Sequence, residues 1–382
     1  MSAKSIARSN CSVSRVGLAL LLTILLLFPD GLAAQACKST PWTTSNSMLP
    51  APIETLNAVV NNGYLYVVGG YTAGSGTFQN TVSYTKLSST DGSLGVFNPT
   101  TAQLPIGLSR DLCGVVYKGN LYTVGGVEYS SSNPFGMTTT AVRHGKTSIS
   151  TGDIVSWGTP PDALNEAVQL HGTVAMTIGT TGFMYVIGGS LGTDSSQSQT
   201  TSNITNHVWY ARINSNGSVG TFNQTTDLPI KLYKTCPVVI GNTIYVAGGE
   251  TNNPTHPAVG TVYYATPNSD GSISSWPQAT SLPNNSTLAS QAVAYVNTKG
   301  IVLMGGDSTG TGGDTTEVFK GVVTGIGNVT WSSTSLPMLT GPAPYLGNVS
   351  RNAGATFNHY AYSVAGLVRG HDSPAVNCLL VP

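Results

Sequence analysis

Charged residues make up only 8% of this 382-residue chain, against about a quarter in ordinary domains, so their placement is informative. Arg110 with Asp111, Glu166 with His171, Lys231 with Lys234, and Arg351 each stand just ahead of a short apolar run, whereas Glu128, Glu250 and Asp307 closely follow a Gly-Gly pair. With Tyr71, Tyr129 and Tyr233 they could line a polar cup that holds a ligand. They could equally pair with one another and with loop backbone, tying neighbouring elements together. Glu166 with Arg110, His171 or Lys234 would supply the acid and base needed for proton transfer at a sugar ring oxygen.

Other chemistries are poorly provided for. The six histidines (144, 171, 207, 256, 359 and 371) include no closely spaced pair, and no two of the five cysteines are near one another in sequence, so neither a metal nor a cofactor is expected. Gly188-Gly189-Ser190-Leu191-Gly192 matches the nucleophile-elbow string, but a Ser, Thr and Gln loop follows it where that motif needs a helix. The glycine-rich stretch 305–313 has no lysine for a phosphate loop. The Asp-Gly-Ser strings lack the remaining ligands of a calcium loop. A net charge of zero gives no electrostatic footprint for nucleic acid or anionic lipid. Asn-X-Ser/Thr strings begin at Asn203, Asn216, Asn223, Asn284, Asn285, Asn328 and Asn348, and would be glycosylation acceptors in a eukaryotic secretory pathway.

The elements that must position these residues repeat. YLYVVGG, NLYTVGG, FMYVIGG, TIYVAGG, IVLMGG and AYSVAG end at Gly70, Gly126, Gly189, Gly249, Gly306 and Gly366, at intervals of 56 to 63 residues. A repeat of that length built from strand patterns predicts propeller blades. Each repeat reads as four strands: an innermost one near residues 54–61, 111–118, 171–178, 234–241, 290–297 and 352–358, the Gly-Gly strand, a Tyr-bearing strand, and one carrying Phe97, Trp157, Phe222, Trp276 or Trp331. Thr90-Asp91-Gly92, Ser215-Asn216-Gly217 and Ser269-Asp270-Gly271 predict two-residue hairpins with positive φ. Trp42 with Leu49-Pro50 is a fourth strand without the first three, and residues 351–381 are three strands without a fourth. The expectation is therefore an all-β, six-bladed propeller of four-stranded antiparallel blades, its last blade closed by the N-terminal strand. Closure removes the exposed sheet edge. The longer loops, which follow the Gly-Gly pairs, then share one face.

Lys4, Arg8 and Arg15 precede the apolar run 16–28, and Ala34-Gln35-Ala36 offers a cleavage site. This predicts a secretory signal over 1–36 and a single domain over 37–382, exported from the cytoplasm; the run is short for a membrane span. Cys37 and Cys378 stand at the two ends of the mature chain. A ring-closing disulfide requires the segment at Cys37 to fold back, and a lipid anchor on Cys37 is the alternative. Cys113 and Cys236, each twelve residues ahead of the first glycine of its pair, read as buried free thiols.

The apolar strand ending in Gly-Gly, the Tyr strand (Tyr84, Tyr210, Tyr264) and the Trp or Phe strand together resemble the kelch repeat of galactose-oxidase-like propellers. The resemblance covers nearly all of the mature chain, with departures at His144, at Ala365-Gly366 and in the longer segment 160–171. It implies the propeller fold and the mouth as contact face, and carries no chemistry over; the Tyr, His and modified-Cys copper site of that superfamily cannot be assembled from these residues. The functional expectation is a secreted module presenting its loop face, with Arg110, Asp111, Glu128, Glu166, His171, Lys231, Tyr233, Lys234, Glu250, Asp307 and Arg351, to a protein or glycan. The alternatives are a cofactor-free sugar mutarotase similar to the kelch-type propellers that interconvert sialic acid anomers, and a subunit of a surface assembly.

Overall fold

The computed structural model describes residues 35–39, 42–109, 115–130, 133–158, 162–192, 202–255, 257–283, 286–289, 292–296, 299–309, 315, 317–332, 348–368 and 371–381, all within one unit, Gln35–Pro382. Among them no helix is long and apolar enough to cross a membrane. The fold is all-β and antiparallel. Arg110, Asp111 and Cys113 lie outside the described residues, as does the segment expected to be a signal.

Sheet I is built from Asn57–Asn61, Tyr64–Val68, Val82–Lys86 and Asn98–Pro99. Sheet II is Val115–Tyr117, Asn120–Val124, Val142–Thr147 and Ile154–Trp157. Sheet III is Gly172–Ile178, Thr181–Leu191, Ile204–Ile213 and Asn223–Gln224. Sheet IV is Val238–Ile240, Thr243–Ala247 and Val262–Ala265, with a single bridge from Tyr263 to Gln278 in the fourth place. Sheet V is Ala292–Val296, Gly300–Met304, Val318–Gly325 and Asn328–Trp331. Sheet VI is Ala353–Phe357, Tyr360–Val364 and Val376–Leu380, completed by Thr43–Thr44 from the other end of the chain, with Thr43 opposite Cys378 and Thr44 opposite Asn377.

The apolar second strands are buried along nearly their whole length, because both faces of each sheet pack on a neighbour. One core joins Leu65, Val67 and Leu94 of sheet I to Tyr362, Val364 and Val376 of sheet VI. Each such side chain contributes roughly 1.5–3 kcal/mol by leaving water. The first strands of consecutive sheets lie side by side, and that of sheet VI lies beside that of sheet I.

Two sets of hydrogen bonds couple the sheets. At the loop end, the N–H of the second glycine leaves its own sheet and donates to a carbonyl leading into the next: Gly70 to Leu108 (2.8 Å), Gly126 to Val168 (2.8 Å), Gly249 to Leu288 (2.7 Å), Gly306 to Val349 (2.7 Å) and Gly366 to Ile53 (3.0 Å). The first glycine passes so close to that carbonyl that a Cβ on Gly188 would stand 2.2 Å from the Leu232 oxygen. In sheet VI the place is held by Ala365, at φ 55°. At the hairpin end, the second-strand tyrosine reaches the third hairpin of the next sheet: Tyr66 donates to Gly152 O (2.6 Å), Tyr122 to Gly217 O (2.8 Å), Tyr185 to Gly271 O (2.7 Å) and Tyr362 to Gly92 O (2.8 Å). Indole N–H groups add a third tie, Trp276 to Thr226 O (2.9 Å) and Trp331 to Thr280 O (3.0 Å).

Those hairpins differ from expectation. Gly92, Gly217 and Gly271 have positive φ but Asp91, Asn216 and Asp270 do not. Instead Gly217 N donates to Asn214 O and Asn214 N to Ser218 O, a longer loop closed by a glycine bulge. The two-residue form occurs between first and second strands, at Asn62-Gly63 and Lys118-Gly119, where both residues have positive φ.

Cys37 and Cys378 form a disulfide with Cα atoms 5.5 Å apart. The fold-back that this needs is made by Leu380 N donating to Lys38 O (2.8 Å) and Cys37 N to Asp91 O (2.9 Å). A thioether lipid would have to displace this bond. Cys236 is disulfide-bonded as well, which corrects the free-thiol expectation for it; separation along the chain places no bound on the distance between strands of different sheets.

Gly188→Ala is expected to destabilise the protein by about 3 kcal/mol or more, since a left-handed alanine and a backbone clash add together. Gly241, also left-handed (φ +59°) but with open space around its Cβ position, should cost only about 1 kcal/mol when changed to alanine. Denaturant midpoints of the two variants check this. Alkylation of the unreduced protein should leave Cys37, Cys236 and Cys378 unlabelled, as peptide mass mapping would read.

Candidate functional site

The segment ahead of each first strand does not continue into its sheet, as the sequence suggested, but pairs with the residue after the Gly-Gly pair. The pairs are Glu54 with Tyr71, Ser109 with Val127, Gln169 with Ser190, Tyr233 with Glu250, Ala289 with Asp307 and Ser350 with Leu367. The next residue is left-handed wherever it is described: Thr55 (φ 49°), Leu170 (54°), Lys234 (54°) and Arg351 (55°). That turn directs its N–H sideways along the rim. Thr55 N donates to Arg351 O (3.1 Å) and Lys234 N to Leu170 O (2.8 Å), each linking one sheet to the preceding one. A non-glycine residue in this conformation costs about 1–2 kcal/mol.

Three of the residues singled out in the sequence meet in sheet IV. Lys234 Nζ donates to Glu250 Oε1 (2.7 Å) and Oε2 (2.8 Å) and lies 5.1 Å from the centroid of the Tyr233 ring. Glu250 is fully buried. Burial, and then the hydrogen bond to Glu250, push the Tyr233 hydroxyl well above the usual phenol range, so it serves as a donor. The lysine has a third N–H to offer outward.

A second cluster joins sheets VI and I. Arg351 Nη1 donates to Glu54 Oε1 and Oε2, both at 3.0 Å, with the arginine side chain 48% exposed and the carboxylate buried. Its Nη2 and Nε make no hydrogen bond to a described residue. Asp372, whose carboxyl burial raises above the usual range while Arg351 opposes the shift, accepts from Ala73 N (2.5 Å). Neither Glu54 nor Asp372 was singled out from sequence. The available signal for Glu54 was its place two residues before Leu56, matching Tyr233 before Thr235.

The remaining candidates disperse. Glu128 pairs with Arg143. Glu166 meets neither His171 nor Lys234: it accepts from His207 Nδ1 (2.8 and 3.1 Å) and from Trp209 Nε1 (3.3 Å). His171 is wholly buried, beside the places where Gly125 and Gly189 would carry a Cβ, and bonded to the Val124 backbone. Asn352 holds the matching place in sheet VI and donates to Met304 O (3.1 Å). His171 is therefore a tie between sheets, removed from the ligand face and from the catalytic set by its burial, which lowers its pKa to about 4. Asp307 caps its own loop, accepting from Thr309 N (2.8 Å). Lys231 is half-buried and forms no ion pair with a described residue. Among the described residues no three His, Cys, Asp or Glu side chains come together as metal ligands would.

No protein-family model matches the chain, and no curated protein matches it in sequence. Among solved structures, one titled "Structure of YjhT" superposes with a TM-score of 0.60, covering 86% of this chain and 94% of that one at 14% identity. Likeness at that identity shows the fold alone, which is of β-propeller type.

Lys234→Met leaves the Glu250 carboxylate buried without its cation and should cost about 3–5 kcal/mol; adding Glu250→Gln should recover more than half. Chemical denaturation of the single and double variants measures both. Unfolded His171 takes up a proton near pH 6.5 and the folded residue only near 4. The unfolded state therefore binds more protons in that window, and stability falls as pH drops through it. His171→Asn should flatten this acid limb by up to ~1.4 kcal/mol per pH unit, read from denaturation at several pH values.

Proposed function

We propose that the chain is a secreted, six-bladed, kelch-type β-propeller, released from a leader over 1–36, whose loop face binds a protein or glycan ligand. Six blades closed on one another are supported by the Gly366–Ile53 and Tyr362–Gly92 hydrogen bonds between sheets VI and I and by the pairing of Thr43–Thr44 with the last strand. One observation carries the binding reading. Thr55 and Leu170 build the same rim backbone as Lys234 and Arg351, so the fold does not call for cations there. The Lys234 and Arg351 side chains, 21% and 48% exposed and anchored on buried Glu250 and Glu54, are preorganised donors at the loop end.

A second reading, proton transfer at a sugar ring, has its own support. The Glu166 carboxylate holds the His207 ring through Nδ1, which leaves Nε2 turned away from it for proton transfer; both side chains are about one-third exposed (29% and 32%). Glu166 with His207, in place of His171 or Lys234, is then the working pair.

A glycan array and capture from the native secretome, with wild type and a Lys231→Ala, Arg351→Gln, Glu54→Gln variant, test the binding reading. At least tenfold weaker binding by the variant is expected, and undiminished binding by a folded variant would sink it. Sugar-anomer exchange by NMR tests the rival: catalysed exchange that His207→Gln abolishes would establish it, and uncatalysed exchange with wild type removes it.

A further inference from the structure

Two aromatic rings stand on a short hairpin at the loop end of sheet I. Tyr71–Thr72 pairs with Thr77–Phe78, Tyr71 opposite Phe78, and the rings meet edge to face with centroids 5.2 Å apart. A third ring comes from sheet II: Tyr129, in Val127–Ser130, lies nearly parallel to Phe78 (27°) at 6.2 Å. Tyr129 is 39% exposed, among the few large apolar side chains left open to solvent, and Tyr71 and Phe78 are half-buried. A cross-strand ring pair stabilises a hairpin by itself, but that accounts for Tyr71 and Phe78 only. Tyr129 is carried by another sheet.

The three rings are held in place from beneath. Ala73 N is bonded to the buried Asp372, Thr72 Oγ1 donates to Pro52 O (3.2 Å), and Gln79 Nε2 donates to Thr72 Oγ1 (3.0 Å). Tyr129 N donates to Gly107 O (2.9 Å). Gly107 lies so near the hairpin that a Cβ there would be 2.7 Å from Phe78 O. Its missing side chain is what lets the two sheets' loops approach until the rings form one surface.

The surroundings restrict what such a surface can take. Glu128, next to Tyr129 in its strand, is paired with Arg143, and Glu54, opposite Tyr71, is paired with Arg351, so neither carboxylate beside the rings is left without a cation. The fringe is hydroxyl and amide, from Thr72, Thr77 and Gln79, which suits neither an acyl chain nor an apolar helix. A neutral pyranose has the complementary make-up: a face of C–H groups that the electron-rich ring faces attract, and an equator of hydroxyls that such a fringe can bond.

We infer that Tyr71, Phe78 and Tyr129 form a stacking platform for the pyranose rings of a neutral oligosaccharide. This rests on the reading of the loop face as the binding surface and narrows its ligand. Tyr129 is the ring to test, because its exposure makes it dispensable for folding. Calorimetric titration of the full chain with cellotetraose, laminaritetraose and chitotetraose, up to roughly 10 mM so that a millimolar site is well filled, is expected to show binding of at least one. Tyr129→Ala should weaken it about tenfold, and Tyr129→Phe, which keeps the ring, should stay within about twofold. Equal binding by wild type and Tyr129→Ala overturns the platform. So does a wild type that binds none of the three while still capturing a ligand through Lys231 and Arg351, an outcome that leaves the broader reading standing. Oligosaccharide binding lost in Tyr129→Ala but untouched by the Lys231 and Arg351 changes would uphold the platform and remove the cations from the site.

Discussion

One backbone hydrogen bond, repeated at Gly70, Gly126, Gly249, Gly306 and Gly366, carries the rest of this structure: the N–H of the second small residue after the strand donates to a carbonyl of the segment entering the next sheet. An N–H used within its own ladder could not be spent this way, so the ladder is interrupted at the pair; in sheet III it resumes beyond Gly188 with a shift of register. The chain must also turn through positive φ, and the first residue must have almost no side chain. The pair of small residues satisfies all three conditions at once. Because the accepting carbonyl lies just ahead of the residue that pairs beyond the Gly-Gly, this one contact sets the height and direction of every rim segment.

The two ends of the sheets are consequently under different constraints. At the hairpin end a tyrosine of one sheet lies on the turn glycine of the next, and the ring leaves no room for a Cβ at Gly152, where one would come within 2.5 Å of Tyr64, or at Gly92, where it would meet Tyr360. Turn chemistry there is held to one residue type. At the loop end only the backbone is prescribed, and the side chains on the left-handed residue range from Thr55 and Leu170 to Lys234 and Arg351. Variation in chemistry is confined to the end where the backbone already does the joining.

The charges at that end are few and mostly paired. Glu54 and Glu250 are buried and would be costly without Arg351 and Lys234 above them. Each such pair ties the rim together and holds a cation still. Of the two interpretations of the scarce charges that stood as alternatives in the sequence, these contacts are the structural one: Lys234 with Glu250 and Arg351 with Glu54 pair with one another.

By itself the sequence determined the strand repeat, the join between the first and last segments, and the gathering of the scarce charges around the Gly-Gly pairs. Those follow from period, from the tyrosines and tryptophans of each repeat, and from glycine at positions where no side chain fits, all properties of single residues and their near neighbours. Only the tertiary structure decided the partners. It drew Glu54 to Arg351 across almost the whole length of the chain, gave Glu166 to His207 rather than His171, and put Tyr129 of one sheet beside Phe78 of another. Such pairings depend on which loops the Gly-Gly hydrogen bonds bring side by side and on which side chains the cores between sheets enclose. Neither quantity is written in the spacing of residues along one repeat.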